Sequence, residues 1–308
     1  MKVLVTGGAG FIGSHVVDAC LNEGHQVVVL DDLSSGKREN VNPQAKLYVA
    51  DLRDRDAMEK LFAQERPEAI CHLAAKANVR ESMAKPVLYA DVNIIGSLNL
   101  LELAREYGTR KIVYASTGGA VYGEPEYLPV DEAHPINPLD PYGASKHHVE
   151  HYLYIYSKHY GLAHTSLRFP NVYGPRQDPY GEAGVVAIFA VQMLKGAQPT
   201  INGSGEQERD FVYVGDIARA NVLALTRGDG EILNLGCGVG TSINTIFSQL
   251  KSATGSSCEE VHGPAKLGEV FRIYLKADRA REVLGWEPEV SLEEGLARTV
   301  EYFRETSL

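Results

Sequence analysis

Tyr142 and Lys146 lie four residues apart in the segment DPYGASK, directly after a proline. Residues four apart on an α-helix share one face, so a phenol and an ammonium at this spacing can converge on a single ligand. The same spacing fits two ordinary residues of a helix that begins near Pro141. The pair alone leaves both interpretations open, a proton-transfer site and a plain helix.

A glycine-rich turn near the amino end offers a second kind of chemistry. The segment TGGAGFIG follows an apolar strand and opens a helical pattern, with glycines in G-x-x-G-x-x-G spacing and Gly8 completing G-x-G-x-x-G. Glycines let the backbone approach a pyrophosphate, which the free N–H groups of the helix N-terminus then bind. The context predicts dinucleotide-binding residues at Gly7, Gly10, Phe11, Ile12 and Gly13.

An acidic residue follows at the distance that a dinucleotide site requires. Asp31 ends the second apolar run, VVVLDD, eighteen residues after Gly13. Its carboxylate is expected to accept hydrogen bonds from the adenosine ribose and to repel a 2′-phosphate, and Asp32 strengthens this preference. The sequence therefore favours NAD over NADP. The alternative is a glycine turn used only for packing, with solvated aspartates.

The elements that position these residues alternate between strands and helices. Runs rich in β-branched residues predict strands at KVLVT, QVVVL, KLYVA, EAICHL, RKIVYAS and AHTSLRF. Helical patterns cover residues 12 to 23, 54 to 65, 86 to 107 and 143 to 160. The alternation predicts an α/β protein with a right-handed, doubly wound parallel sheet, the Rossmann architecture.

The composition changes after Phe169, where PNVYGPRQDPYGEAG is rich in Pro, Gly and Asn. We interpret residues 1–169 as a dinucleotide-binding Rossmann domain and residues 170–308 as mainly a smaller, mostly C-terminal substrate-binding domain. The segment ERDFVYVGDIARANVLAL again has a strand and helix pattern. A segment near 210–236 is therefore expected to return to the first domain, and LEEGLARTVEYFRE predicts an amphipathic helix near the carboxy end.

Charge and cysteine content argue against several classes of partner. The 308 residues carry a formal net charge of −10 without a block of Lys and Arg, which disfavours nucleic acid and anionic membranes. The four cysteines are far apart and lack metal-binding spacing, as expected in a reduced, cytoplasmic setting. The N-terminal apolar run is too short for a signal peptide, and no run is expected to approach membrane-spanning length. We expect a cytoplasmic protein without a metal.

With a dinucleotide site at the amino end, YGASK resembles the Tyr-x-x-x-Lys signature of the short-chain dehydrogenase/reductase superfamily. Further segments resemble its extended branch, which acts on nucleotide sugars: TGGAGFIGSH, DDLSSG, DLRD, HLAA, VNIIGSLNLLE, STGGAVYG, LRFPNVYGPRQ and ERDFVYVGD. Within that branch the chain is most similar to the UDP-glucose 4-epimerases of galactose metabolism, over nearly its whole length. The resemblance implies NAD as cofactor and a UDP-sugar as substrate, which is epimerised at carbon 4 through a transient 4-keto sugar and return of the hydride.

The resemblance also implies cofactor-binding roles for residues outside the glycine turn. Asp51 and Leu52 would flank the adenine, and Ala74 and Ala75 would line the cofactor cleft. Asn93 would support the neighbouring helix or a bound water, or else only cap or satisfy the backbone.

By the same resemblance, Tyr142 would be the acid/base and Lys146 would hold the nicotinamide ribose. A free tyrosine has a pKa of about 10, so ionisation near pH 7 needs about 4 kcal/mol, which the ammonium and the positive nicotinamide would supply. A hydroxyl donor to the substrate is also needed. The commoner epimerase pattern has a serine where this chain has Gly118, so we assign the role to Thr117 and keep Ser116 as the alternative. Both hydroxyls can instead satisfy the backbone at a strand end.

On the substrate side, the resemblance implies diphosphate contacts from Asn171 and Arg209. Lys266 stands where the family has a second arginine, and Glu269 would bind a ribose hydroxyl. The related 4,6-dehydratases carry an Asp-Glu pair after the threonine, where this chain has two glycines. The alternatives are another nucleotide-sugar epimerase, a decarboxylase or a 4,6-dehydratase of the branch, and a non-catalytic NAD-sensing protein, whose usual mark is loss of the Tyr/Lys pair.

The helix predicted over residues 143 to 160 carries two further patterns. Three histidines at helical spacing lack an acid or cysteine to complete a metal site, so we interpret them as a solvated face: His147, His148 and His151. A stripe of tyrosines on the same helix is typical of a core or an interface: Tyr152, Tyr156 and Tyr160. Relatives pair through this helix and the one around residues 86 to 107, so a homodimer is predicted.

Overall fold

The structure is a computed structural model that describes residues 1–180, 184–265 and 270–306. Its strands are β1 (Lys2–Thr6), β2 (Gln26–Asp31), β3 (Lys46–Val49), β4 (Ala69–His72), β5 (Lys111–Thr117), β6 (Ala163–Phe169), β7 (Asn171–Tyr173), β8 (Ile201–Asn202), β9 (Glu208–Arg209), β10 (Phe211–Tyr213), β11 (Glu231–Asn234), β12 (Thr241–Ser242), β13 (His262–Gly263) and β14 (Arg272–Ile273).

The α-helices are α1 (Phe11–Asn22), α2 (Arg55–Glu65), α3 (Val79–Ala84), α4 (Pro86–Tyr89), α5 (Gly96–Glu106), α6 (Pro141–Tyr160), α7 (Val185–Leu194), α8 (Val214–Ala224), α9 (Ile243–Thr254), α10 (Asp278–Leu284) and α11 (Leu292–Thr306). A 3₁₀ turn covers Arg38–Asn40, and a π-helical turn covers Ala90–Ile95 between α4 and α5.

Seven parallel strands form the main sheet in the order β11-β6-β5-β4-β1-β2-β3. The predicted doubly wound α/β fold is confirmed, and the six runs predicted as strands are β1 to β6. Helices cover both faces of the sheet, which is why β4 and β5 are buried along their whole length and read as continuous apolar runs. The carboxyl ends of the strands therefore meet at one edge, where ligands bind in this architecture.

Two apolar layers fix the helices to the sheet. On one face, Val16 and Val17 of α1 pack with Ile217 of α8. On the other face, the layer joins the following residues of α2, α5 and α6: Met58, Phe62, Leu100, Leu101, Val149 and Leu153. Because α6 lies flat on the sheet, the residues of its first turns are held next to the end of β5.

The helix predicted over residues 86 to 107 is α4, the π-helical turn and α5 in direct succession. Pro86–Glu106 has 21 residues and a mean hydropathy of 1.3, long and apolar enough to span a membrane by length and composition. The expectation that no run approaches that length was therefore wrong. Of the most apolar 18-residue stretch of this segment, 44% is buried inside the protein. Residues such as Leu100 and Leu101 pack against α2 and α6.

After Phe169 the chain contributes to both the main sheet and smaller ones. The segment ERDFVYVGD contains β9 and β10, and β10 pairs with β7 in a two-stranded sheet, whereas β11 pairs with β6 in the main sheet. Helix α8 packs on α1. A separate apolar cluster joins α7, α9 and α11 through Phe189, Phe247 and Phe303.

Candidate active site

The glycine turn between β1 and α1 leaves space that any side chain would fill. Gly7 has a φ of +71°, and a Cβ there would lie 2.8 Å from the backbone nitrogen of Ala74. A Cβ on Gly13 would lie 2.0 Å from the carbonyl oxygen of Gly7. Helix α1 starts at Phe11 without a side-chain cap, so the first N–H groups are free for an anion. This cradle fits a dinucleotide pyrophosphate.

Asp31 closes the same cleft at the end of β2. Its Oδ2 accepts a hydrogen bond from the Ala9 N–H at 2.9 Å, and its Oδ1 accepts one from the Leu33 N–H at 2.8 Å. Burial raises the pKa of Asp31, and these two hydrogen bonds oppose that rise. Each carboxylate oxygen keeps a second lone pair, so the side chain is oriented and still able to accept from a ribose hydroxyl.

The remaining predicted cofactor residues form the walls of one cleft. Asp51, Leu52, Ala74 and Ala75 line it together with the glycine turn, Phe11, Ile12 and Asp31. Hydrogen bonding to Arg53 lowers the pKa of Asp51, with Arg53 Nη2 at 2.6 Å from Asp51 Oδ2. The structure thus brings the predicted nucleotide-binding residues together.

Asn93 lies behind this wall rather than in it. It is buried in the π-helical turn, where its Oδ1 accepts from the Lys76 N–H at 2.8 Å and its Nδ2 donates to the Lys76 carbonyl at 3.0 Å. The same amide donates to the Ser145 hydroxyl at 2.9 Å. Asn93 therefore fixes the cleft loop to helix α6.

Tyr142 and Lys146 both line the cleft from the first turns of α6. The helix begins at Pro141, and Asp140 caps it by accepting from the Gly143 N–H at 2.8 Å. Lys146 Nζ donates to the Ala115 carbonyl at 2.7 Å and lies 4.9 Å from the centre of the Tyr114 ring. Capping and these contacts place the phenol and the ammonium at the end of β5.

The protein environment by itself disfavours the charged forms of both groups. Burial raises the pKa of Tyr142 to about 12, against a hydrogen bond from Thr117 that lowers it. Burial lowers the pKa of Lys146 to about 7, against the negative charge of Glu150 that raises it. An ion pair of phenolate and ammonium at this place therefore needs a further positive charge beside the phenol.

The two candidate hydroxyls of β5 have different partners. The Ser116 hydroxyl donates to Glu150 Oε1 at 2.6 Å, whereas Thr117 hydrogen-bonds Tyr142. A Cβ on Gly118 would lie 2.2 Å from Cδ1 of Leu275, a buried side chain, so a serine or an acid at that position would collide with it. The geometry favours Thr117 as the hydroxyl beside the phenol.

Of the residues predicted to contact the substrate diphosphate, Asn171 and Arg209 are not among those that line the nucleotide cleft. Asn171 begins β7, and its backbone N–H donates to the Asp210 carbonyl at 2.9 Å. Arg209 ends β9, where its Nη1 donates to the carbonyls of Glu208 at 2.9 Å and Phe271 at 3.2 Å. Lys266 and Glu269 lie outside the described residues.

The sequence interpretation missed several residues at the site. Lys76 and Phe169 line the cleft, and Glu150 and Arg168 form an ion pair beneath Lys146. Glu150 could have been found from its spacing, because it lies one helical turn after Lys146. The contacts of the others depend on tertiary packing and have no local signal.

The histidines of α6 make protein contacts. His147 Nδ1 lies 3.1 Å from Glu150 Oε2, and His148 Nδ1 lies 2.7 Å from the Ala144 carbonyl. In the parts of the chain that the structure describes, no group of three or more His, Cys, Asp or Glu residues is arranged to hold a metal ion.

Comparisons with known proteins agree in family and fold. Residues 3–236 match the model of the NAD dependent epimerase/dehydratase family. The UDP-glucose 4-epimerase of Mycolicibacterium smegmatis is 46% identical over 313 residues, covering 100% of both chains. The UDP-glucose 4-epimerase of Thermotoga maritima, solved with UDP-glucose, is 52% identical with a TM-score of 0.98 and full coverage of both chains. That of Thermus thermophilus, solved with NAD, is 47% identical with a TM-score of 0.95, covering 99% of this chain and 100% of the other.

The glycine cradle generates a direct test. Gly13→Ala places a methyl group 2.0 Å from the Gly7 carbonyl, so the turn shifts and its N–H groups leave the pyrophosphate position. We expect affinity for NAD, measured by calorimetry, to fall by about tenfold or more, because one hydrogen bond to a charged group contributes about 1.5–3 kcal/mol. Gly119→Ala is the control, since its Cβ would have 3.9 Å of clearance from Thr117 Oγ1. Equal NAD affinity in the two folded variants would contradict the role of the cradle.

Proposed function

The chain belongs to the NAD dependent epimerase/dehydratase family, and we propose that it interconverts UDP-glucose and UDP-galactose by epimerisation at carbon 4. The proposal rests on one observation: Tyr142 and Lys146 line the dinucleotide cleft, and Thr117 hydrogen-bonds Tyr142. NAD, when bound, accepts the hydride from carbon 4 and returns it to the opposite face after the keto sugar has turned over in the site.

Tyr142 is the acid/base of this reaction. As a phenolate it removes the proton of the 4-hydroxyl, and as a phenol it returns that proton to the oxygen at the end of the cycle. A phenol with a pKa of about 12 needs about 7 kcal/mol of stabilisation to be half ionised at pH 7. Lys146 supplies part of this stabilisation as an ammonium, and a cationic ring in the cleft supplies the rest.

Lys146 also sets geometry. Its Nζ is fixed by the Ala115 carbonyl at 2.7 Å, and its remaining N–H groups would bind the ribose of NAD in the cleft that Lys146 lines. Thr117 orients the 4-hydroxyl of the sugar by a hydrogen bond and shares its proton with Tyr142. Together the three residues perform the proton transfer.

The family contains enzymes with other reactions on nucleotide sugars, and the contacts after Thr117 bear on that choice. Elimination of water by a dehydratase needs an acid and a base beside the keto sugar. At those two positions this chain has Gly118, where Leu275 fills the space of a side chain, and Gly119. Both glycines support epimerisation over elimination.

We assign Asn171 and Arg209, with Lys266 and Glu269, to the UDP moiety. The guanidinium of Arg209 is anchored on two carbonyls and is suited to a charge-assisted grip on a diphosphate. The Thermotoga maritima relative was solved with UDP-glucose.

We also propose that the domain boundary lies at residue 169 and that the segment near 210–236 returns to the Rossmann domain. The enzyme is proposed to act in the cytoplasm.

A homodimer through α6 and the helical run before it is part of the proposal. Ile155 and Tyr154 of α6 are 43% and 56% exposed, and Val87 and Ile95 of the 86–106 run are 80% and 48% exposed. Large apolar side chains at this density on adjacent helices are typical of a contact surface. A second copy of the chain, related by a twofold axis, would cover them with the same surface.

The proton-transfer role is tested by Tyr142→Phe. We expect loss of UDP-galactose to UDP-glucose turnover by about four orders of magnitude, because the acid/base is removed. Affinity for NAD, measured by calorimetry, is expected to stay unchanged because the ring still fills the site. The wild-type chain is assayed in parallel on a panel of UDP-, dTDP- and GDP-sugars. Near-normal turnover by the variant would overturn the assignment of Tyr142.

The hydroxyl donor is tested by Thr117→Ala. We expect kcat to fall by about one to three orders of magnitude, because a positioned proton donor is lost. Thr117→Ser is the matched control and should retain most of the activity. An unchanged rate in Thr117→Ala would move the role to Ser116 or to a water molecule.

The dimer is tested by placing charges on the proposed surface. In Ile95→Glu/Ile155→Glu, two carboxylates per chain would be buried without partners, so sedimentation is expected to show a monomer. Val239→Glu is the control, because Val239 is 63% exposed on a loop away from these helices. A wild-type chain that sediments as a monomer would refute the dimer directly.

A further inference from the structure

Glu150 and Lys146 are neighbours on the buried face of α6 and contact consecutive residues of β5. Lys146 Nζ donates to the Ala115 carbonyl at 2.7 Å, and Glu150 Oε1 accepts from the Ser116 hydroxyl at 2.6 Å. The two side chains are 4% and 2% exposed. A carboxylate is therefore buried one helical turn from the ammonium of the proposed active site.

Arg168 of β6 holds this carboxylate from the other side. Its Nε donates to Glu150 Oε1 at 3.0 Å and its Nη2 donates to Oε2 at 2.7 Å, a two-point contact between buried groups. Burial raises the pKa of Glu150, but hydrogen bonds from His147 and Arg168, with the charge of Arg168, outweigh it and bring the pKa to about 2. Glu150 is therefore ionised throughout the working pH range.

The other donor of Arg168 extends the network towards the substrate half of the chain. Its Nη1 donates to the Tyr122 hydroxyl at 2.8 Å, and that hydroxyl donates to Asn234 Oδ1 at 2.7 Å. Asn234 Nδ2 donates in turn to the Val130 carbonyl at 3.1 Å. The polar groups of the network are paired, so it defines one rigid arrangement of β5, β6 and α6.

A buried ion pair is a weak source of stability, because desolvation of both charges offsets their attraction. Apolar residues of similar volume would hold α6 on the sheet at least as well. The position of the pair gives it a different use. Its carboxylate acts on Lys146, whose ammonium form burial disfavours, and its Ser116 contact fixes the strand residue next to Thr117.

We propose that Glu150 is a positioning residue of this enzyme: its buried carboxylate maintains Lys146 as an ammonium and fixes the end of β5 that carries Thr117. The proposal rests on the proposed function, which gives Lys146 and Thr117 their roles. It extends the site by a carboxylate and an arginine that do not line the cleft.

The groups around Lys146 give the sign of the effect. Tyr142 and Glu150 lie on its own helix, Tyr114 on β5, His72 on β4, and Arg168 behind Glu150 on β6. Burial lowers the pKa of His72 to about 3 and raises that of Tyr114, so both are neutral near pH 7. Removing the negative charge of Glu150 therefore lowers the pKa of Lys146, and Lys146 loses its proton at lower pH.

The test measures Lys146 directly in Glu150→Gln. The purified protein is treated briefly with a small acylating reagent at a series of pH values, and the acylated fraction of Lys146 is quantified by mass spectrometry. Only the free amine reacts, so the midpoint reports the pKa of Lys146. We expect the midpoint to move to lower pH by about one unit, a tenfold change in the ammonium fraction above the midpoint. The basic limb of the kcat/KM profile, which reports loss of the Lys146 ammonium, is expected to move in the same direction.

Glu150→Gln leaves the buried charge of Arg168 without a counter-ion, which can destabilise the fold. A second variant therefore removes both charges. Glu150→Gln/Arg168→Met removes both charges of the pair, and the midpoint of Lys146 is expected to stay below that of the wild type because the nearer charge is the carboxylate. Glu65→Gln is the matched control, a buried glutamate far from the cleft that pairs with Lys2 at 3.0 Å and Lys46 at 2.7 Å. Its midpoint and pH profile are expected to equal those of the wild type.

The outcomes separate this inference from the proposed function. A wild-type midpoint in the folded double variant would overturn the role of Glu150, even when the wild-type chain epimerises UDP-sugars. A chain that turns over no UDP-sugar would overturn the proposed function, while the labelling midpoints would still decide whether Glu150 maintains the charge of Lys146.

Discussion

In the proposed reaction, the half-buried Tyr142 and the buried Lys146, one turn apart on the same helix, have to carry opposite charges. Burial opposes both charges, bringing the pKa of Tyr142 to about 12 and that of Lys146 to about 7. The cost is of the order of several kcal/mol and has to be met by neighbouring charges and hydrogen bonds. In the proposed mechanism, this need for added positive charge explains why the Tyr142/Lys146 pair lies in the dinucleotide cleft.

The fold meets this requirement with short-range contacts between adjacent elements. The end of β5 provides Ala115, Ser116 and Thr117 in succession, and each contacts a different residue of α6: Lys146, Glu150 and Tyr142. Because α6 is capped by Asp140 and packed along the sheet, small errors in its position would break all three contacts together. Asn93 joins the opposite wall of the cleft to the same helix.

The sequence predicted the main sheet correctly and selected residues that line one cleft, because both depend on local patterns. Strands buried on two faces are continuous apolar runs, and the glycine turn and Asp31 have fixed spacing along the chain. The sequence assigned the hydroxyl role to Thr117 but left Ser116 as an alternative, since the contact that distinguishes the two comes from Glu150 on another element. Two further features could not be predicted because they depend on contacts between distant parts of the chain. One is the close approach of Leu275 to Gly118, and the other is the pairing of β10 with β7 rather than with the main sheet.

The most direct measurement is the ionisation of Tyr142 with and without NAD. Phenolate absorbance is followed as a function of pH, and the difference between the wild type and Tyr142→Phe isolates the one side chain. The structure predicts ionisation near pH 12 for the protein alone and a fall of several pH units, towards neutrality, when NAD is bound. A phenol that ionises at the same high pH with NAD bound would show that the cleft does not place a positive charge beside Tyr142, and the proton-transfer site would have to lie elsewhere.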